Sequence, residues 1–463
     1  MKNITKIIIA SIISVIIIAG ITYIIFNQSK DEEKVPELNT YTSELVKDEC
    51  IDEYAEEQNA TAVTSTEEKV ASNAILILKK YYAQCDHTIN EYVELPQELV
   101  NMKIEELSIK EKIGQMVMIG LDTNYITDRI KNMIQNYKIG GVILYRKNFS
   151  TYQDMLKLIK ELKELNQNNK IPLFIAIDQE GGRVNRMPKE IKNLPSANLV
   201  ATIGGQELVS ESANIIGELL YKSGINLNFA PVLDIKRFND RTAIGDRSYG
   251  TDKDIVTESG IKAMKELQKN KIVSVIKHFP GHGATKQDSH HFLPIINKSM
   301  KKLEEEDMYP FEQAIKNGAD AVLVGHLLIT NVTGIFPASL SRKFITKYLR
   351  VKYRYKGLII TDDLKMRAIK FMYGPSLAVR KAFEAGNDIV VFRFNKDEEQ
   401  KVLDKIINLT ITGKIKECRI NRSVKRIIQI KQKYGISDTK DFSGADINEI
   451  NRKIEEIRTK CGI

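Results

Sequence analysis

Cysteine and histidine are both scarce in this chain. Its 463 residues include 4 cysteines and 6 histidines. Cys50, Cys85, Cys418 and Cys461 form no CxxC pair, which excludes the thiolate clusters of structural zinc sites. Zinc-finger spacing, an RNA-binding aromatic signature and a basic helix with heptads are also missing, so no nucleic-acid partner is expected. No internal repeat appears beyond a strand-helix period. Four of the histidines, His278, His282, His290 and His291, crowd into one stretch, "KHFPGHGATKQDSHH". Such a cluster suggests either a zinc site or an acid/base loop.

Acidic charge is thin except in one place. Residues 31–58 hold 11 acidic and 2 basic side chains, a local charge of −9, so the rest of the chain carries +18 against the net +9. A body this basic favours an anionic neighbour, such as a membrane face or a wall polymer. Residues 30–65, polar and poor in aromatics, read as a flexible acidic stalk.

The N-terminus has the one long apolar run, "IIIASIISVIIIAGITYIIF", from Ile7 to Phe26. Twenty residues at ~1.5 Å per residue span about 30 Å, one hydrocarbon thickness. The run lacks a clear A-x-A site and exceeds the ~7–15 residues usual in a cleaved signal. Residues 1–29 are therefore expected to anchor the chain in the cell membrane by a single pass, with secretion after cleavage as the alternative. Lys2 and Lys6 before the run and "KDEEK" after it put the bulk of the chain outside. Residues 66–104 read as a helical linker, opened by a Ser65–Glu68 capping-box pattern.

From about residue 105 the texture changes to short apolar runs: "QMVMIG", "GGVILY", "PLFIAID", "INLNFAPVLD", "IVSVIKHF", "AVLVGH", "GLIITDD" and "DIVVF". Each is rich in aliphatic residues and nearly free of alternation, as strands buried on both faces are. Helical patterns lie between them. Eight such units over 105–437 predict an α/β fold, a (β/α)8 barrel, with a doubly wound open sheet as the alternative. A helical tail, 438–463, follows, with a short helix over about 446–459. Polar residues end many of the runs: Asp178, Asp234, Lys277 with His278, His326, and Asp362 with Asp363. In a barrel that end carries the active site, so the pattern points to an enzyme.

Six stretches then occur in a telling order: "PLFIAIDQEGGRVNRMP", "GINLNFAPVLDI", "GDRSYG", "KHFPGHGATKQDSH", "PASLS" and "GLIITDDLKM". With these the chain resembles glycoside hydrolase family 3, specifically its bacterial β-N-acetylglucosaminidase branch. The resemblance implies that Asp362 is the nucleophile of a retaining glycosidase, forming a covalent glycosyl-enzyme. It implies that His290, paired with Asp288 two residues earlier, donates and retrieves the proton. An imidazole with a reference pKa of ~6.5 can do both near neutrality. By the same resemblance Asp178, Arg186, Arg247, Lys277 and His278 hold the sugar. A structural ion pair is the alternative for Arg247. Asp363 reads as the N-cap of the helix beginning "LKMRAIK", and strand alternation keeps it from sharing the barrel mouth with Asp362. Glu180, Asp234 and His326 read as scaffold.

Zinc competes weakly for the histidine cluster. His278 and His282 are four apart, but the intervening Pro-Gly breaks the helix that would give the spacing meaning. No metal or organic cofactor is expected. The expected activity is exo-acting removal of β-linked N-acetylglucosamine from peptidoglycan fragments by a monomer. The rivals are β-glucosidase or β-xylosidase activity, phosphorolytic cleavage, and an inactive wall-binding protein.

Overall fold

A computed structural model describes residues 97–238, 242–285, 293–394 and 396–463. The expected anchor, stalk and Ser65 helix, and most of the 66–104 linker, lie outside the described residues. Among those described, no helix is long and apolar enough to cross a membrane.

All eight expected runs form strands. They are β1 Val117–Gly120, β2 Gly141–Leu144, β3 Phe174–Ile177, β4 Leu227–Asn228, β5 Val273–Phe279, β6 Ala321–Val324, β7 Leu358–Thr361 and β8 Val390–Phe392. The pairing is parallel throughout, in the order β7-β6-β5-β4-β3-β2-β1-β8. A parallel bridge between Ile360 and Ile389 joins β7 towards β8 and brings the sheet round into a barrel. Every strand residue is buried, so the near-absence of alternation in the sequence follows from walls covered on both faces.

β4 is much shorter than its apolar run suggests. Pro231 has no N–H to extend the ladder. The Asn228 side chain takes over the pairing with the β3 end: its Oδ1 accepts from Gln179 N and its Nδ2 donates to Gln179 O, both at 2.9 Å.

The helices carry readable signals. Tyr152–Asn166 opens with a capping box in which Thr151 and Asp154 satisfy each other's backbone N–H groups. The stretch "KLEEEDMYPFEQAIKNGA" breaks into two helices, Met300–Glu305 and Tyr309–Lys316. Pro310 sits in the first turn of the second, where a missing N–H costs nothing. The tail helix Ile447–Lys460 starts at an Asp446 N-cap, and Cys461 behind it is a buried free thiol.

Buried charge locks the N-terminal end of the barrel. Asp388, just before β8, accepts from Ile359 N (2.8 Å), Ser423 Oγ (2.6 Å), Arg426 Nη1 (3.3 Å) and Arg350 Nη2. Lys431 is fully buried and donates to Gln115 Oε1 and Gly140 O, each at 2.9 Å. Removing one partner from such a buried network leaves the others uncompensated. Asp388→Ala is expected to lower stability by about 3–5 kcal/mol in denaturant unfolding, the cost of breaking a buried ion pair; a loss within error of zero contradicts this account.

Candidate active site

At the opposite end of the barrel the strand ends surround a cavity of about 360 Å3. Asp178 follows β3, Asp362 and Asp363 follow β7, Tyr145 follows β2 and Arg393 follows β8, while Lys277 and His278 belong to the last turn of backbone in β5. All seven line the cavity, together with Arg186. Its volume suits a small ligand.

The floor is an alternating chain of charge. Lys277 is only 2% exposed, and its ammonium bonds Asp178 Oδ1 and lies 2.5 Å from Glu180 Oε1. Glu180 is gripped in turn by Arg247, with Nε at 2.9 Å and Nη2 at 2.6 Å. Burial pushes the Glu180 carboxyl up, but the charges of Arg247 and Lys277 prevail and hold it well below the usual carboxylate range. On the open side, Arg186 Nη2 stands 3.5 Å from Asp178 Oδ2. The backbone between Asp178 and Arg186 turns through Gly181 (φ +96) and Gly182 (φ +54). A Cβ at Gly181 would fall 2.9 Å from Pro195 O, so glycine is required there on both conformational and steric grounds.

A second relay stands beside it. The His278 ring donates through Nδ1 to Asp234 Oδ2 at 2.6 Å, and the same carboxylate accepts from the backbone N–H of His278 (3.2 Å) and of His282 (2.6 Å). Burial raises the Asp234 carboxyl, yet His278 and these bonds bring it below its ordinary value. His282 is pushed down to about 4 by burial and by its neighbour His278, so it stands neutral near pH 7.

Asp362 is placed by the β6–β7 ladder: its N–H donates to Val324 O at 3.1 Å, and its Oδ1 accepts from Asp363 N at 2.8 Å. Asp363 departs from expectation twice. It faces the cavity as well, because β7 ends at Thr361 and the strand alternation ends with it. Nor does it cap the next helix, which begins at Arg367 behind Met366. Its Oδ1 accepts instead from Lys365 N at 2.9 Å, making a tight turn. Burial, reinforced by the charge of Asp362, pushes Asp363 up to about 6 against the bond from Lys365. His326, also buried, bonds Ser339 Oγ at 2.7 Å and Asp363 O at 3.1 Å, and so braces that turn.

The structure thus brings Asp178, Arg186, Lys277, His278 and Asp362 to one cavity. Arg247 does not line it; its guanidinium is committed to Glu180 and to Ala243 O (3.0 Å). Asp288 and His290 lie outside the described residues. Sequence reasoning passed over Tyr145, Arg393, Lys365 and Arg367, which also line the cavity. The strand-end rule that picked out Asp178 would have found the first two. Arg393 lies over the Tyr145 ring at 4.9 Å and 3.4 Å from Asp122.

The family model for the glycosyl hydrolase family 3 N-terminal domain matches residues 108–430, most of the chain. The chain belongs to glycoside hydrolase family 3. Within that family it is similar to the β-hexosaminidase LpqI of Mycobacterium tuberculosis, 31% identical over 333 residues, covering 70% of this chain and 83% of the relative. Against β-hexosaminidase A of Pseudoalteromonas piscicida it is 31% identical over 330 residues, covering 66% of this chain and 55% of that longer protein. Among solved structures, the family 3 β-N-acetylglucosaminidase of a Paenibacillus strain superposes with a TM-score of 0.73 at 35% identity, covering 77% of this chain and 69% of the other.

The raised Asp363 carboxyl makes a pH prediction for this family 3 site. The folded chain keeps a proton on Asp363 up to about 6, whereas an unfolded chain releases it near the ordinary 3.8. The contribution of this group to stability therefore falls as pH rises through that window. Asp363→Asn keeps the acceptor for Lys365 N and cannot ionise. Its thermal midpoint minus that of the wild type is expected to climb between 3.8 and about 6 and level off above; a difference independent of pH contradicts the assignment.

Proposed function

We propose that the chain is a retaining exo-β-N-acetylglucosaminidase acting on terminal β-linked N-acetylglucosamine of peptidoglycan fragments. The observation that carries the reading is that Asp362, Asp178, Lys277 and Arg186 line one cavity of about 360 Å3. Those groups offer acceptors and donors to ring hydroxyls, and Asp362 stands on a rigid strand end where a carboxylate can meet an anomeric carbon. The names of the β-hexosaminidase and β-N-acetylglucosaminidase relatives support the choice of sugar.

In the proposed reaction Asp362 attacks the anomeric carbon as the glycosidic C–O bond breaks. His290 gives its proton to the departing oxygen, with Asp288 orienting the imidazole. The now neutral His290 takes a proton from water, which attacks the glycosyl ester, releases Asp362 and leaves the sugar with its original β configuration. Residues 7–26 would tether the enzyme in the membrane and 30–65 would space it from the surface, which suits wall turnover outside the cell.

A panel of aryl β-glycosides, offered with and without phosphate, tests the assignment. Fast release from the N-acetylglucosaminide alone, indifferent to phosphate, is expected. Preference for a glucoside or xyloside, or a sugar phosphate as product, overturns it. Asp362→Asn is expected to lower kcat by roughly 10³-fold or more, and His290→Ala by roughly 10²–10⁴-fold. Wild-type turnover in both variants would remove these residues from the mechanism.

A further inference from the structure

The end of the barrel away from the candidate active site holds a second cavity of about 220 Å3. It opens where the helices Tyr152–Asn166 and Ala197–Lys222 end and the segment 434–443 crosses beneath them. Four lysines line it: Lys163, Lys222, Lys271 and Lys440. Among the described residues three acidic groups stand near them. Asp441 lines the cavity, the charge of Asp438 acts on Lys163, and Glu218 pairs with Lys222 at 2.7 Å.

Lys163 is the telling residue. It is 7% exposed, and its ammonium lies over the face of Phe442, 4.8 Å from the ring centre. No carboxylate or carbonyl of the described residues bonds it, and burial lowers its pKa despite Asp438 and Asp441. A buried ammonium without an acceptor is costly unless an anion completes it. Lysines near helix C-termini often do no more than offset the helix dipole, but that role keeps the charge exposed or bonded to terminal carbonyls. Lys163 does neither, and it faces a cavity. Lys440 reaches the same cavity from 434–443, its Nζ 2.9 Å from Tyr221 OH, and Ser437 and Ser443 also line it. Point-like ammonium groups and hydroxyls, with no guanidinium fork, suit a phosphate group better than a planar carboxylate.

We infer that this cavity is a phosphate-binding site, separate from the catalytic centre, in which Lys163 and Lys440 hold one phosphate group. The group can be free phosphate or one unit of a polyphosphodiester. The latter source would let the basic body grip an anionic polymer while the opposite mouth of the barrel stays open.

Calorimetric titration of the full chain with inorganic phosphate and with poly(glycerol phosphate), at low and raised salt, decides the matter. Saturable binding is expected, weakened about tenfold or more by Lys163→Met, as loss of one charge-assisted contact requires. The exposed change Lys440→Glu, which leaves the core untouched, is expected to weaken it similarly. Asp362→Asn is expected to bind phosphate like the wild type, which separates this site from any phosphate acting at the catalytic centre. Tighter binding of the polymer per phosphate identifies the polymer as the source, and equal binding identifies free phosphate. No saturable binding of either probe, or binding unchanged in both lysine variants, overturns the inference. So does a Lys163→Met chain that is less stable than wild type without phosphate and equally responsive to it, since that is the signature of a purely structural lysine.

Discussion

A buried ammonium that must be neutralised on two sides organises the candidate active site. Lys277, at the end of β5, is almost wholly removed from water, and a lone cation in such a place costs several kcal/mol. Asp178 and Glu180 meet that requirement, and Arg247 and Arg186 in turn hold the two carboxylates. The result is an alternating row, Arg247–Glu180–Lys277–Asp178–Arg186, that ties β3, β5 and the loop after β4 into one floor. Only its last members reach the cavity. The buried members fix the geometry, so that Asp178 presents its carboxylate to a ligand without having to be ordered on binding.

Asp234 imposes a second constraint of the same kind. By bonding the His278 ring and the backbone of both His278 and His282, it sets the path of the chain as β5 leaves the barrel. The four-residue interval between those histidines, which suggests a metal pair, instead closes a turn around a carboxylate. The imidazole rings meet edge to face, with centroids 5.8 Å apart. His278 faces the cavity, and His282, held neutral by burial, belongs to the support behind it.

The two ends of the barrel divide labour on physical grounds. Strands of one direction deliver their C-terminal residues to one mouth, where the backbone leaves the ladder and side chains escape the packed wall. The other end is closed by charges that find their partners inside the protein, as Asp388 and Lys431 do. The basic cavity at that closed end is the exception: among the described residues no carboxylate or carbonyl bonds the Lys163 ammonium, which lies over the Phe442 ring.

The sequence by itself determined the eight-strand barrel and the family. Strands buried on both faces must be unbroken apolar runs, and the motifs "AIDQEGGRVNR", "KHFPGHG" and "TDDLKM" demand particular residues at the strand ends. It named Asp178, Arg186, Lys277, His278 and Asp362 for one site, and they share one cavity. Only the tertiary structure decided which charges face a ligand and which face each other. Arg247 and Glu180 read from sequence as a possible sugar ligand and as scaffold; they prove to be one bidentate pair, because the loop after β4 folds back over the turn after β3. Asp363 enters the cavity because β7 stops one residue before Asp362, a boundary that apolar pattern cannot locate. Tyr145 and Arg393 join the site from strands far apart in sequence, since closing the barrel makes β8 a neighbour of β1. Distance along the chain carries no information about that closure, and sheet pairing alone supplies it.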